Sequence, residues 1–272
     1  MDKKTVSPTV LLAPGASASG ALWLPSAQTF PPLDERLVEP ETREEIVRGR
    51  RVLAMPSNPP HGDRHCELDY VVRAHIRPDY VGSTDLLTRS QTRSDFATDT
   101  CIRKSGIDPA TGTRYLEEIA FEIVNEQPLK ELSERAEDLS GRGVRRIFAI
   151  FVKKGEVCEW SVQASAFQRL SMNDTIRDPC LSRPIVVNAL LDAAAADNAV
   201  ALALLSKQNP VLTAREAQIK REAILAVLAA RNLVVSEEVR ARIRACTDSS
   251  TLDRWIAKAA VARSAAEVGV EP

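Results

Sequence analysis

Aromatic residues are scarce, at 4% of 272 positions. A core must therefore rest on Leu, Val, Ile and Ala, each of which buries less area than a ring. An excess of one charge is missing as well: 36 Lys and Arg stand against 37 Asp and Glu, for a formal net charge of -1. That excludes a globally basic field, so any surface for phosphates has to be a local patch. The five cysteines (Cys66, Cys101, Cys158, Cys180, Cys246) are odd in number and form no C-x-x-C pair. Neither a zinc ribbon nor a disulfide framework is suggested, and reduced thiols in a cytoplasmic protein are expected. No P-loop, G-x-G-x-x-G or G-x-S-x-G occurs, which argues against nucleotide cofactors and serine hydrolysis.

Long apolar runs are also lacking, and no membrane span is expected. Lys3 and Lys4 precede an apolar stretch over 10–24 that mimics a signal peptide, but Pro14, Gly15 and Gly20 interrupt it. Residues 1–30 read instead as a flexible tail.

What is present alternates between strand and helix over 31–192. A hairpin is expected over 45–55 around Gly49, and then Pro56, Pro59 and Pro60 break the chain. A helix over 61–76 carries Leu68, Val71, Val72 and Ile76 on one face. The Thr-rich run 86–103 reads as a strand, and 106–113 as a loop punctuated by Pro109 and Gly112. Residues 118–124 form a short apolar strand. A helix over 128–141 repeats Leu129, Leu132, Ala136 and Leu139, with Gly141 or Gly143 to end it. Strands over 144–152 and 156–162 follow. From 193 to 272 the pattern is helical and Ala-rich. The fold class expected is α/β, a mixed sheet flanked by helices with an all-helical C-terminal appendage.

Two acids stand out. Glu122 lies mid-strand between Ile119, Phe121 and Ile123 on one face and Ala120 and Val124 on its own. Burying an unpaired carboxylate costs several kcal/mol, so Glu122 needs a cation, a proton or a cleft. Asp99 sits similarly in the strand-like run 96–102, on the face of Ala97 and Cys101. Two carboxylates on adjacent strands pointing the same way would make a hard oxygen site suited to Mg²⁺ or Mn²⁺.

These residues carry a family resemblance. Asp99-Thr100-Cys101, then Phe121-Glu122-Ile123-Val124, a helix, and Arg142-Gly143-Val144-Arg145-Arg146-Ile147-Phe148-Ala149-Ile150 together resemble the Uma-two family. That family is grouped with the restriction endonucleases in the PD-(D/E)XK superfamily. The likeness runs over about 35–192 and takes in His61-Gly62, Thr111-Gly112-Thr113-Arg114 and Trp160. It implies a restriction-endonuclease-like core in which Asp99 and Glu122 ligate a divalent metal. The superfamily's lysine would fall at Val124. A lysine on the next helix substitutes for it in this family, and the matching residue here is Arg135. Arg135 lies about 80° from the centre of its helix's apolar stripe, at 3.6 residues per turn, and could reach over the sheet. Arginine can stabilise a phosphate or pair with Glu122, but it cannot give up a proton. Lys130 falls nearly opposite, toward solvent.

Other candidates have plainer readings. His61, His65 and His75 share one helix, and His61 and His65, four apart, face the same way as a zinc half-site with no third ligand evident. Packing beside Leu68 and Val72, or a place at the border of the nuclease cleft, is the expectation. Glu45 and Glu67 could be outer acids of the site, with a solvated surface role favoured. Arg142, Arg145, Arg146, Lys153 and Lys154 could meet phosphates, but Glu131, Glu134, Glu137 and Asp138 are close by, so a balanced surface is as good a reading. Leu252, Trp255, Ile256 and Ala259 form either core or a surface for a protein partner or a second copy, with core the default. The reading is a divalent-metal-dependent endonuclease acting on nucleic acid, DNA before RNA. The alternative is an inactive relative serving as a nucleic-acid-binding or protein-interaction module.

Overall fold

The computed structural model describes residues 43–54 and 58–269, so the expected tail over 1–30 lies outside the described residues. The chain opens with the hairpin β1 (Arg43–Val47) and β2 (Arg50–Ala54), then α1 (Pro59–His75), β3 (Tyr80–Gln91) and β4 (Ser94–Lys104). Two short pairs of residues, β5 (Ile107–Asp108) and β6 (Thr113–Arg114), precede β7 (Glu117–Val124), α2 (Leu129–Arg142) and β8 (Arg146–Phe151). β9 (Glu156–Ser161), β10 (Ala166–Arg169), β11 (Thr175–Ile176) and β12 (Ile185–Val186) lead into four helices, α3 (Ala193–Ser206), α4 (Pro210–Ala230), α5 (Glu237–Ala245) and α6 (Ser249–Val261).

The central sheet is mixed, as expected for the α/β class. Its order is β10-β9-β8-β7-β4-β1-β2, with β3 also on β4. β7 and β8 are the parallel pair, Glu122 opposite Ala149, and α2 supplies the crossover that parallel strands need. β7 and β8 are buried along both faces, which explains why residues 119–121, Ile123, Val124 and residues 147–151 are apolar on both faces, with Glu122 the one charged residue among them. On one face Ile119, Phe121, Ile123, Phe148 and Ile150 pack with Leu68, Val71 and Val72 of α1 and with Ala196, Val200 and Ala203 of α3. Phe121 stacks on Phe148 at 5.2 Å between ring centroids. On the other face, Ala120, Ile147 and Trp160 meet Ala136 and Leu139 of α2. A separate apolar cluster joins Ala217, Ile224, Leu228, Val239, Ile243, Leu252, Trp255 and Ala259 from α4, α5 and α6. Leu252 and Trp255 are thus core residues of the helical region, and α3 packs with the sheet.

Several boundaries differ from the sequence reading, each for a local reason. Pro59 and Pro60 do not break the chain; they open α1, where a missing N–H costs nothing, and the Asn58 side chain caps it by accepting from His61 N at 3.2 Å. The run 86–103 is not one strand but the end of β3 and most of β4, a hairpin turning at Thr92-Arg93. Leu129 is 59% exposed and outside the core. One boundary agrees: α2 ends at Gly143, one of the two glycines expected to end it, whose φ of +116° favours glycine and whose N–H meets the Leu139 and Ser140 carbonyls. Asp248, one residue before Ser249, caps α6. Among the described residues no helix is long and apolar enough to cross a membrane.

Phe148 is fully buried in the face that joins α1 to the sheet. Phe148→Ala is expected to lower stability by about 3–5 kcal/mol, measured by urea unfolding; a loss below about 1 kcal/mol would mean this face is not the main core.

Candidate functional site

The site arises from an interruption in the sheet. One edge of β4 is shared by two strands. β1 meets it at Asp95, through Ile46, and β7 meets it from Thr100 onward, opposite Phe121. Between those points no strand among the described residues covers that edge of β4, and its backbone groups still need partners. Side chains supply them. Glu45, from β1, accepts from Ala97 N at 2.9 Å. Arg135, from α2, donates to the Ala97 carbonyl. Asp99 reaches across to β7 and accepts from Ile123 N through Oδ2 at 2.6 Å.

Arg135 is the hub. It donates to Glu45 Oε2 at 2.7 Å and to Glu122 Oε2 at 3.3 Å, and its guanidinium lies 4.3 Å from the centre of the Phe96 ring. Burial opposes its charge, but Glu122 and Glu45 outweigh that and hold its pKa above the ordinary value. The reach over the sheet expected of Arg135 is therefore observed, as is its pairing with Glu122. Lys130 is exposed, as expected. Val124, where the superfamily pattern has lysine, packs against Leu132 and Ala149, in surroundings that would strip water from an ammonium group.

Glu122 is 2% exposed, and its Oε1 has no hydrogen-bond partner among the described residues. Burial pushes its carboxyl well above the usual range; Arg135 pulls it down, while Asp99 and Glu45 push it up again. Asp99 is likewise raised by burial, against the Ile123 N–H and the nearby His61 and His65. The Asp99 charge thus reaches Glu122, yet the two acids have different partners. Glu122 meets Arg135, and Asp99 meets β7 and α1.

α1 contributes more than the sequence suggested. His61 Nε2 lies 3.6 Å from Asp99 Oδ2, and His65 Nε2 donates to the Asp99 carbonyl at 2.8 Å. His61 and His65 thus both approach Asp99 beside the gap in β4; the group of possible ligands there includes His65 and not His61, so among the described residues the His61–His65 half-site gains no third ligand. Ligand atoms of His65, Asp85 and Asp99 all lie within 4.8 Å of one another. His75 stands apart, buried, with Nδ1 donating to the Val71 carbonyl at 2.7 Å.

Glu45 requires a correction. The surface role favoured for it does not hold, because it is 5% exposed and tied to Arg135 and Ala97. Its outward-looking sequence context, between Glu44 and Ile46, hid this; alternation within β1 was the available signal. Glu67 is partly exposed and pairs with Arg64 on its own helix. Of the basic residues after β7, Arg145 pairs with Glu118 and Asp178, Arg146 with Glu159 and Lys153 with Glu126, so most of that surface is balanced.

No family model matches the chain, and no curated protein matches it. Among solved structures, a chain from Anabaena variabilis ATCC 29413 described as a "putative nuclease belonging to DUF820" is similar, at 12% identity and a TM-score of 0.48. The match covers 57% of this chain and 93% of that one.

Two predictions follow from the charges. Arg135→Met leaves Glu45 and Glu122 buried without their cation and is expected to cost about 3–5 kcal/mol, read by chemical denaturation at pH 7. The folded chain also holds protons on Glu122 and Asp99 at pH values where the unfolded chain has released them. Stability should therefore fall as pH rises from the ordinary carboxylate range through the raised values, and Glu122→Gln should flatten that slope. A wild-type stability that climbs across the window would contradict the assignment.

Proposed function

We propose that the chain is a divalent-metal-dependent nuclease, with DNA the favoured substrate, and that Asp99 and Glu122 hold a Mg²⁺ or Mn²⁺ ion. One observation carries the reading: three carboxylates, Glu45, Glu122 and Asp99, surround the β4 gap with one guanidinium, Arg135, among them. If all three acids are ionised, two negative charges remain, and a doubly charged cation would balance them. Glu122 Oε1, buried without a partner, is a ready ligand atom. The residues therefore fit such an ion. The resemblance of the Asp99 and Glu122 segments to Uma-two sequences points the same way.

Each side chain then has a role. Asp99, steadied by the Ile123 N–H, and Glu122, steadied by Arg135, are the acidic ligands. Arg135 keeps its charge at any working pH, so it can neutralise a phosphate oxygen but cannot accept a proton from water. A bound divalent ion would polarise the phosphodiester and lower the pKa of an attending water.

A second reading has a specific observation behind it. Arg135 already pairs with both Glu122 and Glu45, as in a structural ion-pair cluster, and Val124 leaves no lysine on the strand. On this reading the chain is a non-catalytic member of the fold that binds nucleic acid or a protein partner.

Calorimetric titration with Mg²⁺ and Mn²⁺, alongside nicking of supercoiled DNA and cleavage of single-stranded RNA, separates the two. The nuclease reading expects cation binding and DNA cleavage, with Asp99→Asn and Glu122→Gln each reducing cleavage by roughly 100-fold or more, the upper end for residues merely adjoining a metal. A folded wild-type chain that binds nucleic acid but neither cation nor scissile bond would leave the second reading standing.

A further inference from the structure

We propose that His65, Asp85 and Asp99 form a cation position of their own, on the α1 side of Asp99, which takes a divalent first-row transition ion of the Mn²⁺ or Zn²⁺ kind. The position shares Asp99 with the proposed nuclease centre but does not use Glu122, so the two can be tested apart.

Three elements converge there. α1 brings His65, β3 brings Asp85 and β4 brings Asp99, with one ligand atom from each inside a 4.8 Å span. The placement is locally enforced. His61, His65 and Asp69 recur at i, i+4 and i+8, one face of α1. Asp69 is clamped to the sheet, accepting from Thr84 Oγ1 at 2.8 Å and from Thr100 Oγ1 at 2.7 Å. These two threonines flank Asp85 and Asp99, so the clamp fixes α1 over the acids. His65 is held to the same strand by its bond to the Asp99 carbonyl. Outer hydrogen bonds of this kind orient metal ligands.

Asp85 has no evident structural duty. It is exposed, and no hydrogen bond or ion pair holds its carboxylate among the described residues. Its φ is +50° in the middle of a strand, and the β3–β4 register passes from Thr84↔Thr100 to Leu86↔Thr98 without pairing it. By that register it lies across from Asp99, and like charges facing each other across strands destabilise a sheet. Asp99 Oδ2 is engaged by Ile123 N, while Oδ1 has no partner among the described residues. Two carboxylates side by side, each with an oxygen to spare, and an imidazole beside them are a mixed nitrogen and oxygen donor set. Mg²⁺ prefers oxygen alone; imidazole with carboxylates suits Mn²⁺, Zn²⁺ or Co²⁺. Arg135 bonds Glu122 on the α2 side, and among the described residues no arginine or lysine forms an ion pair with Asp85 or Asp99.

Titration of the full chain with Mn²⁺, followed by loss of the free-ion electron paramagnetic resonance signal, tests the assignment. His65→Gln and Asp85→Asn are each expected to weaken Mn²⁺ binding by at least the roughly tenfold seen for outer-shell partners, while the nitrogen-coupled Mn²⁺ of this position persists in Glu122→Gln even where total Mn²⁺ uptake falls. Pulsed measurements on the wild type should show nitrogen coupled to the bound Mn²⁺, a readout that needs no variant to fold. Wild-type affinity in both His65→Gln and Asp85→Asn, or bound Mn²⁺ without nitrogen coupling, would overturn the proposal and leave the Asp99–Glu122 centre untouched. Loss of the nitrogen-coupled Mn²⁺ in Glu122→Gln, with that signal kept in His65→Gln and Asp85→Asn, would do the same. A wild-type chain that takes up no Mn²⁺ would also overturn it, and Mg²⁺-dependent DNA cleavage would then decide the nuclease reading separately.

Discussion

The uncovered edge of β4 is the constraint on which the centre of this protein is organised. A strand edge inside a folded chain cannot be left without hydrogen-bond partners, because each lost bond costs on the order of 1–3 kcal/mol. β1 and β7 both reach β4 but leave a stretch between Asp95 and Thr100. Glu45 and Arg135 bond the Ala97 backbone in that stretch, and the Asp99 side chain reaches from it to the Ile123 N–H of β7. The solution brings charge into the interior, and the charge has to be balanced. Arg135 does part of this by pairing with two acids at once, in the planar, always-charged geometry that lysine lacks. The same side chains that complete the sheet therefore create a concentration of carboxylates.

That arrangement links fold to chemistry. Asp99 stands between two neighbourhoods, the β7 backbone with Glu122 nearby and the histidines of α1. Its carboxyl and that of Glu122 are both raised first by burial in a place with little water, and at Glu122 the charges of Asp99 and Glu45 add to it. Such a place is stabilised by protons at low pH or by a cation, and groups perturbed in this way cluster at functional sites. Arg135 limits how far the balance leans toward metal, since it already neutralises part of the charge.

Much of the frame was legible because it rests on local patterns. β7 and β8 announced themselves by continuous apolar runs, and α2 by a 3.6-residue stripe, although Leu129 at its start proved exposed. The β3–β4 hairpin was hidden because Gln91, Thr92, Arg93 and Ser94 contain no Gly, Asn or Pro to mark a turn. Glu45 was misread because a carboxylate in a short strand near the start of a sheet is usually solvated; only its partner, 90 residues along the chain, explains its burial. Asp85 carried no signal at all, since a backbone turn at φ +50° within a strand leaves no trace in composition.

The sequence by itself determined the α/β alternation, the two acids in unlikely apolar settings and the arginine one helix later that could reach them. These are consequences of periodicity and of the cost of burying charge, both of which act over a few residues. Only the tertiary structure decided which groups share a charge: that Arg135 bonds Glu122 and Glu45 together, that α1 sets His65 beside Asp99, and that Asp85 comes within the same small space. The physical reason is that electrostatic partners are chosen by distance in space across β1, β3, β4, α1 and α2, and spacing along the chain does not encode that distance.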